Sequence, residues 1–268
     1  MLEAASSAYH KKIARFILVG NTEKIKAIAS ECGVDISSFE MVNEPDMELA
    51  ARKAVALVSS GSAVAVMKGL VDTSVIMKAV LDKEAGMRTG RKLSHLAAFE
   101  MPSYHKLLFV TDAALNIAPD MEAKKEITIN AINAVTKLGL IEPKIALLAA
   151  KEKADPKMPV TMEWAELVSL HRKGELPGCI IDGPFALDNA VSEDSAKIKG
   201  ISGPVAGDAD VLVCPNIESA NILYKSLAFL GGGKNGGVVV GAKRPIILTS
   251  RADSAESKLI SIALGVLF

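Results

Sequence analysis

The sequence predicts an α/β fold with a mostly parallel sheet and helices on both of its faces. Three observations predict it. Short apolar runs rich in β-branched residues alternate with longer amphipathic runs along the chain. Turn-forming residues bound most of the short runs. Half of the 268 residues are hydrophobic, enough to bury a sheet on two sides.

In chain order, a strand is expected over residues 15–19, then a helix over 48–59, where Leu49, Ala50, Ala54 and Leu57 recur at helical spacing. A strand at 63–67 and a short helix at 75–81 follow, then a strand at 106–109. The run 124–138 carries Ile127, Ile129, Ala131, Ile132 and Val135 and reads as a helix. Strands at 144–149, 178–181 and 211–214 come next, then a helix at 217–230, strands at 237–240 and 245–248, and a last helix at 252–267. Residues 192–207 are polar without clear period and read as a long loop. Gly139 and Pro143 punctuate the pattern near 137–142, and a glycine-rich stretch does so at 231–237. The expected division is a first α/β domain of residues 1–137 plus 240–268 and a second of residues 138–239.

Lys plus Arg and Asp plus Glu both total 31, so the formal charge is zero and points to neither nucleic acid nor an acidic membrane as partner. No stretch of about 20 uncharged apolar residues occurs, so no membrane span is expected. Met1-Leu2-Glu3-Ala4-Ala5 lacks the basic and then apolar pattern of a signal peptide, and a cytoplasmic setting is expected. Cys32, Cys179 and Cys214 are far apart and form no C-x-x-C pair; His10, His95, His105 and His171 show no ligand spacing. No metal site is expected.

Doubly wound folds place ligands beyond the carboxyl ends of strands, which singles out several segments. Gly231-Gly232-Gly233-Lys234-Asn235-Gly236-Gly237 contains G-x-G-x-x-G, but a helix precedes it and a strand follows, the reverse of the dinucleotide fingerprint. Asn235 stands where a Walker A loop needs Ser or Thr. Two readings stay open: a flexible connector, or a loop in which Gly233 and Gly236 bring backbone amides to an anion. Asp182-Gly183-Pro184-Phe185 follows a strand and reads either as a tight turn or as an active-site loop. Asn216 follows another strand and suits a helix cap or a ligand contact. Asp72, Thr73 and Ser74 precede a helix; Thr73 or Ser74 is expected to cap it, and its first amides favour an anion. G-x-S-x-G is absent. Ser250 and Arg251 lie between a strand end and a helix start, where unpaired amides and a planar cation suit phosphate. Ser250-Arg251-Ala252-Asp253 also fits a helix-capping pattern, so Ser250 has a structural reading too.

Taken in order, several segments resemble the phosphate acetyl/butyryl transferase family. They are Met67-Lys68-Gly69-Leu70-Val71-Asp72-Thr73-Ser74, Phe109-Val110-Thr111-Asp112-Ala113-Ala114, Pro156-Lys157-Met158-Pro159 and Asp182-Gly183-Pro184-Phe185-Ala186-Leu187-Asp188-Asn189-Ala190. They continue with Gly203-Pro204-Val205-Ala206-Gly207-Asp208-Ala209-Asp210-Val211-Leu212, Pro215-Asn216-Ile217 and Leu248-Thr249-Ser250-Arg251. The resemblance covers residues 16–268. The stretch 151–159 stands where acetyl enzymes carry a Ser/Thr/Gly-rich loop, and its Pro-Lys-Met-Pro resembles the butyryl branch.

The resemblance implies an isocitrate/isopropylmalate-dehydrogenase-like fold of two α/β/α domains with a cleft between them. It implies exchange of coenzyme A and inorganic phosphate on a short-chain acyl group, butyryl by preference. The implied partners are acyl-CoA, phosphate and acyl phosphate, with coenzyme A a substrate rather than a permanently bound cofactor, in a homo-oligomer. Ser250 and Arg251 are the implied catalytic pair; Asp72, Thr73, Ser74, Asp182, Gly183, Pro184, Asn216, Gly233 and Gly236 are the candidate substrate contacts. The alternatives are a phosphate acetyltransferase or an inactive CoA- or acyl-phosphate-binding domain. Two departures stand out. The family begins with an extra strand and a fuller first helix, whereas this chain enters at what resembles the end of that helix. Acetyltransferases place an Asp, proposed as base, seven residues after the motif Ser, and Ser257 stands there. Asp253 and Glu256 are the remaining candidate bases, although phosphate, already anionic, needs none.

Overall fold

The computed structural model describes residues 1–249 and 253–268. Chain order runs α1 (Leu2–His10), β1 (Ile17–Gly20), α2 (Thr22–Glu31), β2 (Glu40–Asn43), α3 (Met47–Ser59), β3 (Val66–Met67) and α4 (Thr73–Val80). It continues with β4 (Ser94–Glu100), β5 (Leu108–Thr111), α5 (Met121–Lys137), β6 (Lys144–Leu148), α6 (Pro159–Arg172), β7 (Ile180–Phe185), α7 (Leu187–Val191) and α8 (Glu193–Ile198). The last elements are β8 (Val211–Val213), α9 (Ile217–Lys225), a π-helical turn (Ser226–Leu230), β9 (Lys234–Val240), β10 (Ile246–Ile247) and α10 (Ala255–Leu267).

The contacts group the chain into two compact units, residues 1–91 with 236–268, and residues 92–235. Residues 92–137, expected with the first part, group with the second because α5 packs on β4 and β5, and β5 pairs with β8. In the first unit β10 runs parallel to β3 and antiparallel to β9. A separate parallel pair, β1 with β2, completes it. That pair and its helices enclose a small core of Ala5, Ala29, Ile36 and Phe39, with the rings of Tyr9 and Phe16 against Phe39.

In the second unit the strand order is β4-β5-β8-β6-β7. β5, β8, β6 and β7 are mutually parallel, and β4 runs against β5. Val211, Leu212 and Val213 are fully buried in the middle of it, as a strand covered on both faces requires. Leu108, Val110, Ala146, Leu148, Phe185 and Leu212 form one core with Phe99. Trp164 of α6 is fully buried and donates its indole N–H to the Leu148 carbonyl at 2.7 Å.

Most expected elements appear with shifted ends. Three expectations change in kind. The strand expected at 178–181 continues to Phe185, so Asp182-Gly183-Pro184 lies inside β7, neither a turn nor a loop. One extra residue of β7 bulges against β6 there, since Ala146 pairs with Asp182 but Leu148 with Phe185. The glycine loop ends earlier than expected, because β9 already begins at Lys234. Residues 192–207 hold α8, capped by Ser192, whose hydroxyl accepts the Ser195 N–H.

Candidate active site

In the first unit β3 and β10 end side by side: Ile247 pairs with Met67, and the Lys68 N–H donates to the Ile247 carbonyl at 3.0 Å. Beyond β3 the chain turns through Gly69, Leu70 and Val71 into α4. Asp72, not Thr73 or Ser74, is the N-cap residue, and its carbonyl accepts the N–H groups of Val75 and Ile76. Its side chain makes no capping bond to the helix. Asp72, Thr73 and Ser74 are all exposed, so the start of α4 faces solvent with a carboxylate and two hydroxyls.

Beyond β10 the chain passes through Leu248 and the buried Thr249 to Ser250 and Arg251, the expected catalytic pair, which lies outside the described residues. The final helix starts at Ala255 rather than at residue 252. Ser254 caps it, accepting the Ser257 N–H at 3.0 Å. Ser257, which stands where acetyltransferases carry an Asp, also exchanges a hydroxyl contact with Ser254 at 3.0 Å.

Gly236 lies in β9 and is buried. A β-carbon there would stand 2.6 Å from Ile260 Cγ2 and 2.7 Å from the Ser261 nitrogen, both in α10. The next residue, Gly237, donates its N–H to Ser261 Oγ at 2.9 Å. The missing side chain at 236 thus lets strand and helix meet.

The four parallel strands of the second unit share one carboxyl end. After β5, Asp112 is 4% exposed, and its carboxylate accepts the N–H groups of Ala114, Leu115 and Asn116 and the Asn116 amide. It is a buried anion satisfied by its own turn. After β8, Asn216 caps α9, its Oδ1 accepting the Ser219 N–H at 3.0 Å and the Ser219 hydroxyl at 2.8 Å. Its oxygen is committed, so any ligand contact runs through its amide nitrogen. Asp182 accepts the Gly183 N–H at 2.9 Å, and Pro184 is buried. A β-carbon on Gly183 would stand 2.8 Å from Leu147 Cβ and 2.9 Å from its carbonyl oxygen, so this glycine serves the close approach of β7 to β6. Gly233 is buried against Met101 and donates its N–H to the Leu227 carbonyl at 3.0 Å, just beyond the π-helical turn. Gly233 and Gly183 have packing reasons of their own.

Residues after β6 and β7 form a polar cluster that the sequence reading passes over. Glu152 accepts from Lys199 at 2.9 Å and from Asn189 Nδ2 at 2.7 Å, and Lys199 also reaches Asp188. Lys199 first, and Asn189 second, hold the Glu152 carboxyl below its ordinary range. No sequence pattern joins these residues, because Glu152 and Lys199 meet only through the β6–β7 pairing.

Burial pushes the Cys179 thiol up to about 11 and the Cys214 thiol up to about 12, so both stay protonated at neutral pH and neither supplies a thiolate nucleophile. Among the described residues no group of three or more His, Cys, Asp or Glu is placed to hold a metal, and no helix is long and apolar enough to cross a membrane.

The profile of the phosphate acetyl/butaryl transferase family matches residues 44–266. The phosphate butyryltransferase of Clostridium acetobutylicum is 47% identical over 267 residues, covering 100% of this chain and 89% of the relative. The phosphate acetyltransferase of Thermotoga maritima is 41% identical over 268 residues, covering 100% of this chain and 91% of the relative. Among solved structures, a branched-chain phosphotransacylase from Enterococcus faecalis superposes with a TM-score of 0.82 at 35% identity, covering 94% of this chain and 98% of that one. The profile match over most of the sequence and the full-length identity together place this chain in the phosphate acetyl/butaryl transferase family.

Proposed function

We propose that this chain exchanges coenzyme A and inorganic phosphate on a short-chain acyl group, with butyryl preferred. The observation that carries the reading is full-length likeness to a phosphate butyryltransferase, 47% identical over 267 residues. In the reaction an oxygen of hydrogen phosphate attacks the thioester carbonyl carbon. The carbonyl electrons move to oxygen and return as the C–S bond breaks. The sulfur leaves as thiolate and takes up the proton that phosphate carried. Acyl phosphate and coenzyme A result.

Such a site needs cationic or N–H groups for phosphate and donors for the transient oxyanion. In this reading Arg251 holds phosphate with its planar, permanently charged fork and Ser250 donates beside it. The exposed start of α4 at Asp72, Thr73 and Ser74 supplies helix-terminal N–H groups of the sort that favour anions. Within the second unit, Asp182 and Asn216 are the polar candidates. Neither buried cysteine, Cys179 or Cys214, supplies a thiolate, which accords with direct attack by phosphate. The parallel strand and helix order within each unit accords with an isocitrate/isopropylmalate-dehydrogenase-like fold. Free cysteines accord with a cytoplasmic, reducing setting. A homo-oligomer belongs to the same proposal, and light scattering tests it.

Pro156-Lys157-Met158-Pro159 leads into α6, held by the Asp155–Met158 bridge and by the Lys157 N–H on the Asp155 carboxylate at 2.9 Å. Two extra methylenes buried in an apolar site are worth about 1.6 kcal/mol, roughly tenfold in specificity. Thiol release from butyryl-CoA and acetyl-CoA at fixed phosphate tests this, with about tenfold higher kcat/KM expected for butyryl-CoA. The likeness to a phosphate acetyltransferase favours a second reading, acetyl transfer, and equal or better kcat/KM with acetyl-CoA would select it.

A further inference from the structure

Two lysines of the described chain are buried, and they differ in one respect. Lys124, 6% exposed, is paired with Glu163. Lys68, 9% exposed, has no carboxylate partner among the described residues. Its Nζ donates to two backbone carbonyls, Val71 at 3.2 Å and Gly69 at 3.4 Å. Among the described residues, two carbonyls leave one N–H of the ammonium without an acceptor and its charge unbalanced. Taking an unpaired ammonium out of water costs several kcal/mol, and an anionic partner offsets that cost.

The position of Lys68 names the class of anion. It is the first residue after β3, with its own N–H on the Ile247 carbonyl of β10, so it stands at the joint carboxyl end of two parallel strands. The carbonyls it grips belong to the loop that opens α4, whose first amides receive no bond from the Asp72 side chain. An ammonium and a helix start thus share one short loop, and phosphate oxygens suit both.

We propose that Lys68 is a phosphate-binding residue, its ammonium contacting an oxyanion of the substrate. This rests on the proposed reaction and adds a residue to it. The phosphate is that of inorganic or acyl phosphate, or one of those on coenzyme A, and kinetics separate the two sources. A lysine that merely staples residues 69–71 alters stability without favouring one substrate.

The test uses Lys68→Gln and Lys68→Arg, with thermal unfolding measured beside steady-state CoA release. Phosphate is varied at saturating butyryl-CoA, and butyryl-CoA at saturating phosphate. In Lys68→Gln the KM for phosphate is expected to rise at least tenfold and that for butyryl-CoA to stay within threefold. Lys68→Arg keeps the cation and is expected to hold the phosphate KM within fivefold. A rise confined to the butyryl-CoA KM assigns the ammonium to the phosphates of coenzyme A. Folded Lys68→Gln with both KM values unchanged overturns the proposal, as does Lys68→Arg that loses phosphate affinity as fully as the Gln variant. If Lys68→Gln does not fold, Lys68→Met, which suits a buried stem and lacks the charge, carries the same readouts. Wild-type protein without phosphate-dependent CoA release would sink the proposed reaction instead, a separate result.

Discussion

Gly236→Ala distinguishes a packing glycine from a ligand-approach glycine. The added methyl would lie 2.6 Å from Ile260 Cγ2, 2.7 Å from the Ser261 nitrogen and 2.9 Å from the Ile260 carbonyl carbon. Two of those three atoms are backbone, so side-chain rotation alone gives no relief and β9 must part from α10. Overpacking of this sort costs about 1–3 kcal/mol. Stretching the buried bond from the Gly237 N–H to Ser261 Oγ, 2.9 Å long, adds about 1 kcal/mol. Against this, alanine restricts the unfolded chain and returns about 0.4–1 kcal/mol. The net loss is about 1–3 kcal/mol, which lowers Tm by roughly 3–10 °C in a chain of this size. The assay is thermal unfolding beside kcat and KM for both substrates at 25 °C. Lower Tm with KM values within twofold is expected. An unchanged Tm with raised KM for phosphate or coenzyme A would refute the packing argument and return the glycine to the ligand.

Two further predictions concern charge. Burial pushes the Asp208 carboxyl up, but hydrogen bonds from Lys144 and Lys106 outweigh it and hold the group at about 2. Its folded value lies below the ordinary one, so its contribution is complete above about pH 5 and is lost as pH falls through about 2. That corresponds to about 2.5 kcal/mol before screening, and partial solvent contact leaves about 1–2 kcal/mol. Urea unfolding of Asp208→Asn should show this deficit at pH 7 and a smaller one at pH 3; an equal deficit at both would contradict it. Arg251→Gln should lower kcat/KM about a hundredfold or more in both directions without loss of Tm, on the scale of losing an electrostatic transition-state contact. Near wild-type turnover in the folded variant would remove Arg251 from the mechanism.

What the sequence revealed depended on whether a segment's state was decided locally. β6 and β8 are legible because Lys144–Leu148 and Val211–Val213 are compact apolar runs that need no partner to be identified. β4 is not. Ser94–Glu100 contains His95 and two alanines and no β-branched residue, and it is a strand because Leu96, Ala97, Ala98 and Phe99 pair with β5. The C-terminal half of β7 is hidden in the sequence because Asp, Gly and Pro are turn formers, yet pairing with β6 carries the strand through them with a bulge. The final helix starts three residues late because Ser254 caps it, and two serines within five residues offered rival caps. Candidates at strand ends were found by position alone. Lys68 lies in a family segment, but nothing local marks it as a ligand, because its signal is tertiary: a lysine after a strand is ordinary, and only burial without a carboxylate among the described residues sets it apart.

The central claim is direct transfer of an acyl group from coenzyme A to phosphate. It is tested by incubating the protein with butyryl-CoA, with and without inorganic phosphate, measuring free thiol and trapping acyl phosphate with hydroxylamine as the hydroxamate. Thiol release that requires phosphate and matches acyl phosphate one for one is expected. Thiol release that proceeds equally without phosphate, or that yields no trapped acyl phosphate, would contradict the account.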